Sequence, residues 1–372
     1  MNISSSFHVH SGCDVQARAV GVGVVVVAIL GLLFATRVEA TTLKIATLMP
    51  EGSGFVTEMR AAGKSIEQRT AGRVKLKFYP GGVMGNGKTV LRKIRVGQLH
   101  GAALTSGPLA SIYPDIEIYS LPLLFRGYDE VDYVRERLDE KLKAGLSKAG
   151  LTALSISDGG FAYFLSQTAI RRVEDLSKAK IWIPEDDVMS ETALEIAGAS
   201  PIPLPTADVY TGLQTGLIDT VAAPPMGAIA FQWHSKVRYL TDVPLMYLIG
   251  IFAIDNKAFR KLAPEDQAIL REEIENASAR LDAQTRLGDA NAAEALKNQG
   301  IEFVLASSEE EVERWHNIST QATERLRRMN RYSEDLLDEM IALVEAYRAQ
   351  SDVTSNSKDV PVELAAPGKE AQ

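Results

Sequence analysis

The chain has 372 residues, 46% of them hydrophobic and 24% charged, with a single cysteine and a formal net charge of −8. That balance argues against a disordered chain, a disulfide scaffold and a multi-span membrane protein. With 40 Lys and Arg against 48 Asp and Glu there is no basic excess to neutralise phosphates, so no nucleic-acid partner is expected; at this length a single core tends to split, and two lobes are expected.

Arg18 precedes a continuous apolar stretch over residues 19–35, followed by Thr36-Arg37-Val38-Glu39-Ala40. A charged start, an apolar centre and a small final residue describe a secretory signal, so residues 1–40 are expected to be a leader cleaved after Ala40. The run approaches the roughly 17 residues that span a bilayer, which makes an uncleaved N-terminal anchor the alternative. Cys13 lies upstream of the run, whereas a lipoprotein cysteine follows it. Cleavage leaves a mature chain without cysteine, and so without disulfides, thiolate chemistry or cysteine metal ligands. The expected location is the periplasm.

Short β-like runs at 43–48, 74–79, 102–105, 151–156, 217–222 and 248–254 alternate with helical patterns at 56–69, 89–96, 130–148, 188–197, 207–215 and 228–239. This alternation predicts an α/β fold with largely parallel strand pairing. Pro264-Glu265-Asp266 opens a long helix to about residue 298, with Pro in the first turn and acids beside the positive helix end. Ser307 or Ser308 with Glu310-Glu311 predicts a capping box ahead of a further helix. On that helix Val312, Trp315, Ile318, Ala322 and Leu326 form one face, so Trp315 reads as packing. From Ser351 the composition turns polar without periodicity, and 351–372 is expected to be a disordered tail.

Gly82-Val83-Met84-Gly85-Asn86-Gly87-Lys88-Thr89 matches the phosphate-binding loop pattern, between a strand and a helix as that mechanism requires. The leader argues against a nucleotide, because ATP is not available outside the cytoplasmic membrane; a Gly-rich turn opening a helix is the better reading. His100, His234 and His316 are too far apart for a local metal motif, and no serine stands in a nucleophile elbow. Asp186-Asp187 and Glu309-Glu310-Glu311 read as helix-start acids on a solvated surface. No catalytic residue, metal site or cofactor is expected. A secreted enzyme and a P-loop hydrolase are the weaker alternatives to a binding protein.

Several segments in order resemble the solute-binding proteins of TRAP transporters, the DctP-type family of tripartite ATP-independent periplasmic carriers. They are Leu43-Lys44-Ile45-Ala46-Thr47 with Pro50-Glu51-Gly52-Ser53, Phe78-Tyr79-Pro80-Gly81-Gly82 with Met84-Gly85, and Ser120-Leu121-Pro122-Leu123-Leu124-Phe125-Arg126. Val173-Glu174-Asp175-Leu176, Lys180-Ile181-Trp182-Ile183-Pro184, Pro201-Ile202-Pro203, Asp208-Val209-Tyr210-Thr211-Gly212-Leu213-Gln214-Thr215-Gly216 and Asp255-Asn256-Lys257 follow, so the likeness runs from about residue 43 to 330.

The resemblance implies a two-lobe periplasmic-binding-protein fold with crossing hinge strands near 157–160 and 247–254, long C-terminal helices and a small-molecule ligand between the lobes. Lobe I is expected over 41–157 and 248–290, and lobe II with the C-terminal helices over 158–247 and 291–350. The implied partners are a small four-helix and a large twelve-helix permease subunit. A ligand-presenting sensor would look the same in sequence.

Departures from the family pattern bear on the ligand. Trp182 stands where the resemblance implies an arginine gripping a ligand carboxylate, Ala162 where a second basic residue is usual, Ala222-Ala223-Pro224 where Glu-Asn-Pro is typical, and Thr206 in place of an aromatic residue. A guanidinium fork is the natural carboxylate clamp, whereas an indole offers area, a π face and one N–H. The expected ligand is therefore hydrophobic or amphipathic, lined by Trp182, Phe161, Tyr163, Thr206, Tyr210, Phe55 and Trp233, with Met49 and Met226 as adaptable surface. A C4-dicarboxylate or keto-acid is the alternative, with Lys88 or Arg126 as substitute cations. The missing arginine also resembles the subgroup that works with a trimeric tetratricopeptide-repeat protein.

Overall fold

A computed structural model describes residues 40–356 except 186, 306 and 307; the expected leader and the part of the expected tail beyond 356 lie outside the described residues. Among the described residues no helix is long and apolar enough to cross a membrane.

The chain opens with β1 (Thr41–Thr47), whose Leu43 and Ile45 are fully buried. Ser53 then caps α1 (Gly54–Arg69), its Oγ accepting from the Val56 N–H at 3.4 Å, and Val56, Met59, Ala62 and Ile66 turn one helical face to the sheet. β2 (Val74–Tyr79), α2 (Gly87–Arg95) and β3 (Gly101–Thr105) follow, with β2 and β3 both parallel to β1. The Gly-rich stretch before α2 is a turn, as expected. Gly81 and Gly82 have φ of 67° and 70°, and the Asn86 side chain caps the helix by accepting from Thr89 N–H at 3.0 Å. A short α3 (Ser106–Leu109) and a 3₁₀ segment (Pro114–Ser120) lead to α4 (Tyr128–Lys148).

β4 (Leu151–Ser166) then leaves this lobe and enters the second, which is built from β5 (Trp182–Ile183), α5 (Val188–Ile196), β6 (Ile202–Pro203), α6 (Val209–Thr215), β7 (Thr220–Ala223) and α7 (Pro225–Ala230). β8 (Tyr239–Asp255) returns antiparallel to β4, and α8 (Asn256–Arg260) and the 35-residue α9 (Pro264–Asn298) follow. β9 (Glu302–Val304), α10 (Glu309–Arg328) and α11 (Glu334–Asn356) close the chain. The main sheet has the order β2-β1-β3-β8-β4-β7 with β9 on β8, and β5 pairs β6 separately. The result is a two-lobe α/β fold.

Four expectations change. Pairing is mixed, because β3–β8, β4–β8 and β4–β7 are antiparallel; element alternation fixes type but not direction. The runs at 151–156 and 248–254 are the ends of much longer strands. At Asp158-Gly159-Gly160 the ladder continues through an irregularity opposite Leu248 and Ile249. The helix expected over 228–239 stops at Ala230, since Gln232 has φ of 60° and Tyr239 already belongs to β8. Finally, α11 extends to Asn356, into the expected tail, and its Leu336, Leu337, Met340 and Val344 join the core around α4 rather than the second lobe.

The two crossing strands are held by one carboxylate. Asp158, with its side chain fully buried, accepts from Arg135 of α4, Arg286 of α9 and the Tyr247 hydroxyl of β8. Its own N–H donates to Asp282 Oδ1 of α9 at 2.8 Å. Two turns further along α9, Asp289 accepts from Met226 N–H of α7 at 3.2 Å and from the Tyr128 hydroxyl of α4 at 3.3 Å. Gly160, at φ of 87°, passes so close that a Cβ would collide with the Asp289 carboxylate. Asp158→Asn is expected to lower stability by about 3 kcal/mol in urea unfolding, since two part-buried arginines lose their shared counter-charge. A loss under about 1 kcal/mol would mean that Asp132 and Asp139, which also pair these arginines, hold the crossing without it.

Candidate ligand site

The ends of β1 and β3, the starts of α1 and α2, and the 3₁₀ segment face β5, α5, α7 and the middle of β4 and β8 across a cleft. The cleft holds a cavity of about 940 Å³ whose lining is mostly apolar. A volume of this size accommodates a drug-sized organic molecule.

Of the residues singled out from sequence, Met49, Phe55, Trp182, Thr206, Met226 and Trp233 line the cavity. Phe161, Tyr163 and Tyr210 do not. Side chains alternate along a strand, so Ala162 and Phe164 of β4 face the cavity while Phe161 and Tyr163 point away. Phe161 packs edge-on to Tyr128 at 5.2 Å and tilts against Tyr247 at 5.5 Å. Tyr163 sits between two cores, where burial pushes its hydroxyl up to about 12. The half-buried Tyr210 ring packs against the core of the second lobe under Lys236 Nζ at 5.1 Å.

Trp182 is 6% exposed, and its indole N–H donates to Leu204 O at 2.9 Å. Its ring meets Trp233 edge-on at 5.2 Å, and Trp233 stacks on Phe231 at 5.1 Å and 22°. The three rings form one apolar wall, with the single polar atom of Trp182 already satisfied. Ala162 and Ala222, two of the other three departures, also line the cavity and bring no polar group; the third, Thr206, brings a hydroxyl.

The charged groups at the cavity are mostly partnered. Arg331 is the only arginine among the described lining residues; its Nη2 donates to Glu117 Oε2 at 2.7 Å. Burial pushes Glu117 up to about 7 against the pull of Arg331, and nearby Asp187 adds to the rise. Asp187, expected on a solvated surface, caps α5 through Ser190 N–H and hydroxyl at 3.0 and 2.6 Å and lines the cavity; burial raises its pKa. Glu185 accepts from Asn86 Nδ2 at 2.9 Å, linking the lobes across the mouth. Lys88 lines the cavity and Arg126 does not.

Sequence reasoning missed Glu117, Asp187, Arg331 and Trp315 at this site. Trp315 is buried in the α10 stripe as expected, and it also lines the cavity, with its indole N–H unpaired. Val312 of that stripe is instead 44% exposed. Glu311 is no solvated acid either: it is buried and accepts from Val173 N–H at 2.6 Å. Among the described residues no cluster of His, Cys, Asp and Glu has the arrangement of a metal site.

The family profile described as bacterial extracellular solute-binding protein, family 7, matches residues 45–329. The 2,3-diketo-L-gulonate-binding periplasmic protein YiaO of Escherichia coli is 28% identical over 247 residues, covering 64% of this chain and 73% of that protein. The C4-dicarboxylate-binding periplasmic protein DctP of Rhodobacter capsulatus is 26% identical over 309 residues, covering 81% and 88%. The solved structure of a TRAP periplasmic solute-binding protein from Xanthobacter autotrophicus with bound β-D-galacturonate superposes with a TM-score of 0.74 at 21% identity, covering 82% of this chain and 99% of that one, which is a likeness of fold. Proteins of this family bind small-molecule solutes outside the cytoplasm and deliver them to membrane subunits; they are not enzymes. The chain belongs to bacterial extracellular solute-binding protein family 7, the DctP family of TRAP transporter solute-binding proteins.

Proposed function

We propose that the protein, exported through a leader cleaved after Ala40, captures an organic molecule with a large apolar body between its lobes and presents it to small and large TRAP membrane subunits. The hinge is placed where β4 and β8 cross beside Asp158. The observation that carries the ligand class is the occupied clamp position: Trp182 is buried, its N–H is bonded to Leu204, and its ring is locked against Trp233. Arg331 offers no replacement, since a carboxylate brought to it meets Glu117, already paired to it, and Asp187 close by. Like charges in a desolvated site raise one another's energy steeply. A trimeric tetratricopeptide-repeat partner belongs to the same reading and rests on the missing clamp alone.

A second reading has the better support from kinship. The named relatives and the superposed structure bind acids, diketogulonate, C4-dicarboxylates and galacturonate among them, so a carboxylate ligand is what descent favours. Lys88, which lines the cavity, is the lysine against which this reading is tested.

Titration calorimetry with succinate, D-glucuronate, a medium-chain alkanol and the matching alkanoate separates the two. Tight binding of the alkanol with negligible heat from succinate and glucuronate is the expected result. Micromolar or tighter glucuronate binding, lost in Lys88→Ala, would overturn the apolar reading and establish the acid. Mass spectrometry of whatever stays bound through purification gives an independent answer.

The Glu117 pair also makes stability depend on pH in a defined direction. A carboxyl whose pKa rises on folding binds its proton more tightly in the folded chain. Its contribution is therefore complete below its ordinary value of 4.5 and is lost as pH rises to about 7. Asp282 and Asp289, both pushed up to about 6 by burial, act in the same sense. The difference in Tm between pH 5 and pH 8 is expected to shrink in Glu117→Gln, because amide and acid differ only where the acid ionises. An unchanged difference would show that Glu117 titrates normally.

A further inference from the structure

The cavity is not a simple slot between the lobes. Ser190, Ala193, Leu194 and Ala197 all line it, and their spacing of three and four places them on a single face of α5 and its C-terminal cap. Opposite them stand Trp315 and Ile318, one turn apart on α10. A branch of the cavity thus penetrates the second lobe between two packed helices. From Asp187 to Ala197 it follows α5 for about 15 Å, at 1.5 Å of rise per residue. The small side chains of Ser190, Ala193 and Ala197 leave the room that Leu or Ile at those positions would fill.

The two ends differ in chemistry. Asp187, Glu117 and Arg331 gather where α5 starts, whereas Trp315, Ile318, Leu194 and the small α5 residues line the cavity with the apolar Phe164, Leu176, Ile181 and Leu245 of the same core. A dry apolar space inside a packed core forfeits dispersion contacts on every wall, so it is retained against close packing at a standing cost unless something fills it. Trp315 adds a second sign of incompleteness. It is 4% exposed, its ring tilts against Phe164 at 6.3 Å, and its N–H has no acceptor.

We infer that the ligand carries a linear apolar chain that lies along α5 and ends against Trp315 of α10, with its polar head, uncharged or cationic, beside Glu117 and Asp187. The inference rests on the apolar reading of the same site and narrows it from any hydrophobic molecule to an unbranched amphiphile. A compact aromatic or bicyclic molecule lies against the wall formed by Trp182 and Trp233 and leaves this branch empty. A chain fills it at little loss of shape, because a helix-to-helix gap of this kind is long and narrow. Leu194 and Ile318 then act as specificity-determining residues, setting the width, and Ala197 sets the length.

The test uses the secreted protein with n-alkan-1-ols of increasing length, followed by calorimetry and by tryptophan fluorescence. Each added methylene is expected to tighten binding about three- to four-fold, the change that about 0.8 kcal/mol per buried CH₂ gives, until a length is reached beyond which affinity levels off. Ala197→Phe is expected to move that plateau to shorter chains without weakening the shortest ones. If Ala197→Phe does not fold, a chain brominated at its far end decides the matter in the wild type, since bromine quenches only indoles it touches: quenching is expected, and most of it is expected to vanish in Trp315→Phe. Affinity that ignores chain length, or quenching that survives Trp315→Phe, overturns the chain assignment and leaves an apolar ligand elsewhere in the cleft. Binding of D-glucuronate with no binding of any alkanol overturns the apolar reading itself.

Discussion

Asp158 is a carboxylate with no solvent exposure at the place where two strands leave one lobe for the other, and an isolated charge there would cost several kcal/mol. Two guanidiniums, a phenol and a register irregularity are arranged to prevent that. Arg135 comes from α4, Arg286 from α9 and Tyr247 from β8, so a single anion draws together elements far apart in sequence. Each arginine spends a second hydrogen-bonding edge on a further acid, Asp139 or Asp132, which spreads the charge toward the surface.

The same network ties α9 to both strands at the crossing. α9 packs on α1 at its start and on α7 later, so it acts as a splint along both lobes, with Asp282 and Asp289 fastening it at the crossing. On the proposed capture of a ligand between the lobes, bending falls to β4 and β8 around Gly159 and Gly160, which carry no side chain to block it. A ligand shifts such an equilibrium only through contacts it makes in the closed form and lacks in the open one. Here the residues positioned for such contacts lie on β1, α1 and α2 on one side and on β5, α5 and α7 on the other, and Asn86–Glu185 is a direct hydrogen bond across the mouth of the cleft.

Much of this was legible before any coordinates. The strand and helix periods gave α1, α4, α9 and α10 nearly to their ends, and the positions that departed from the family pattern, Trp182, Ala162, Thr206 and Ala222, all face the cavity. What failed did so for identifiable reasons. Phe161 and Tyr163 are one residue out of phase with Ala162 and Phe164, and an irregularity inside β4 hides that phase from a one-dimensional reading. Glu117, Asp187 and Arg331 converge from three elements separated by long stretches of chain, and no local spacing announces such a meeting. Trp315 obeys helical periodicity, and periodicity cannot tell a face that is packed from a face that is packed beside a void.

On the proposed apolar reading, a tryptophan rather than an arginine at position 182 changes what holds the site together when it is empty. A guanidinium in an apolar cleft without its anion is an unpaired, desolvated charge, so an acid-binding site is unfavourable until loaded and gains strongly from one specific group. Trp182 is satisfied at once by Leu204 and Trp233, and the empty wall is stable. Binding energy must then come from area and dispersion, which grow smoothly with the size of the ligand and discriminate weakly between similar shapes. Selectivity in such a site has to be imposed by walls that exclude, which is the role that a narrow gap between α5 and α10 and the acidic pair at its entrance are built to play.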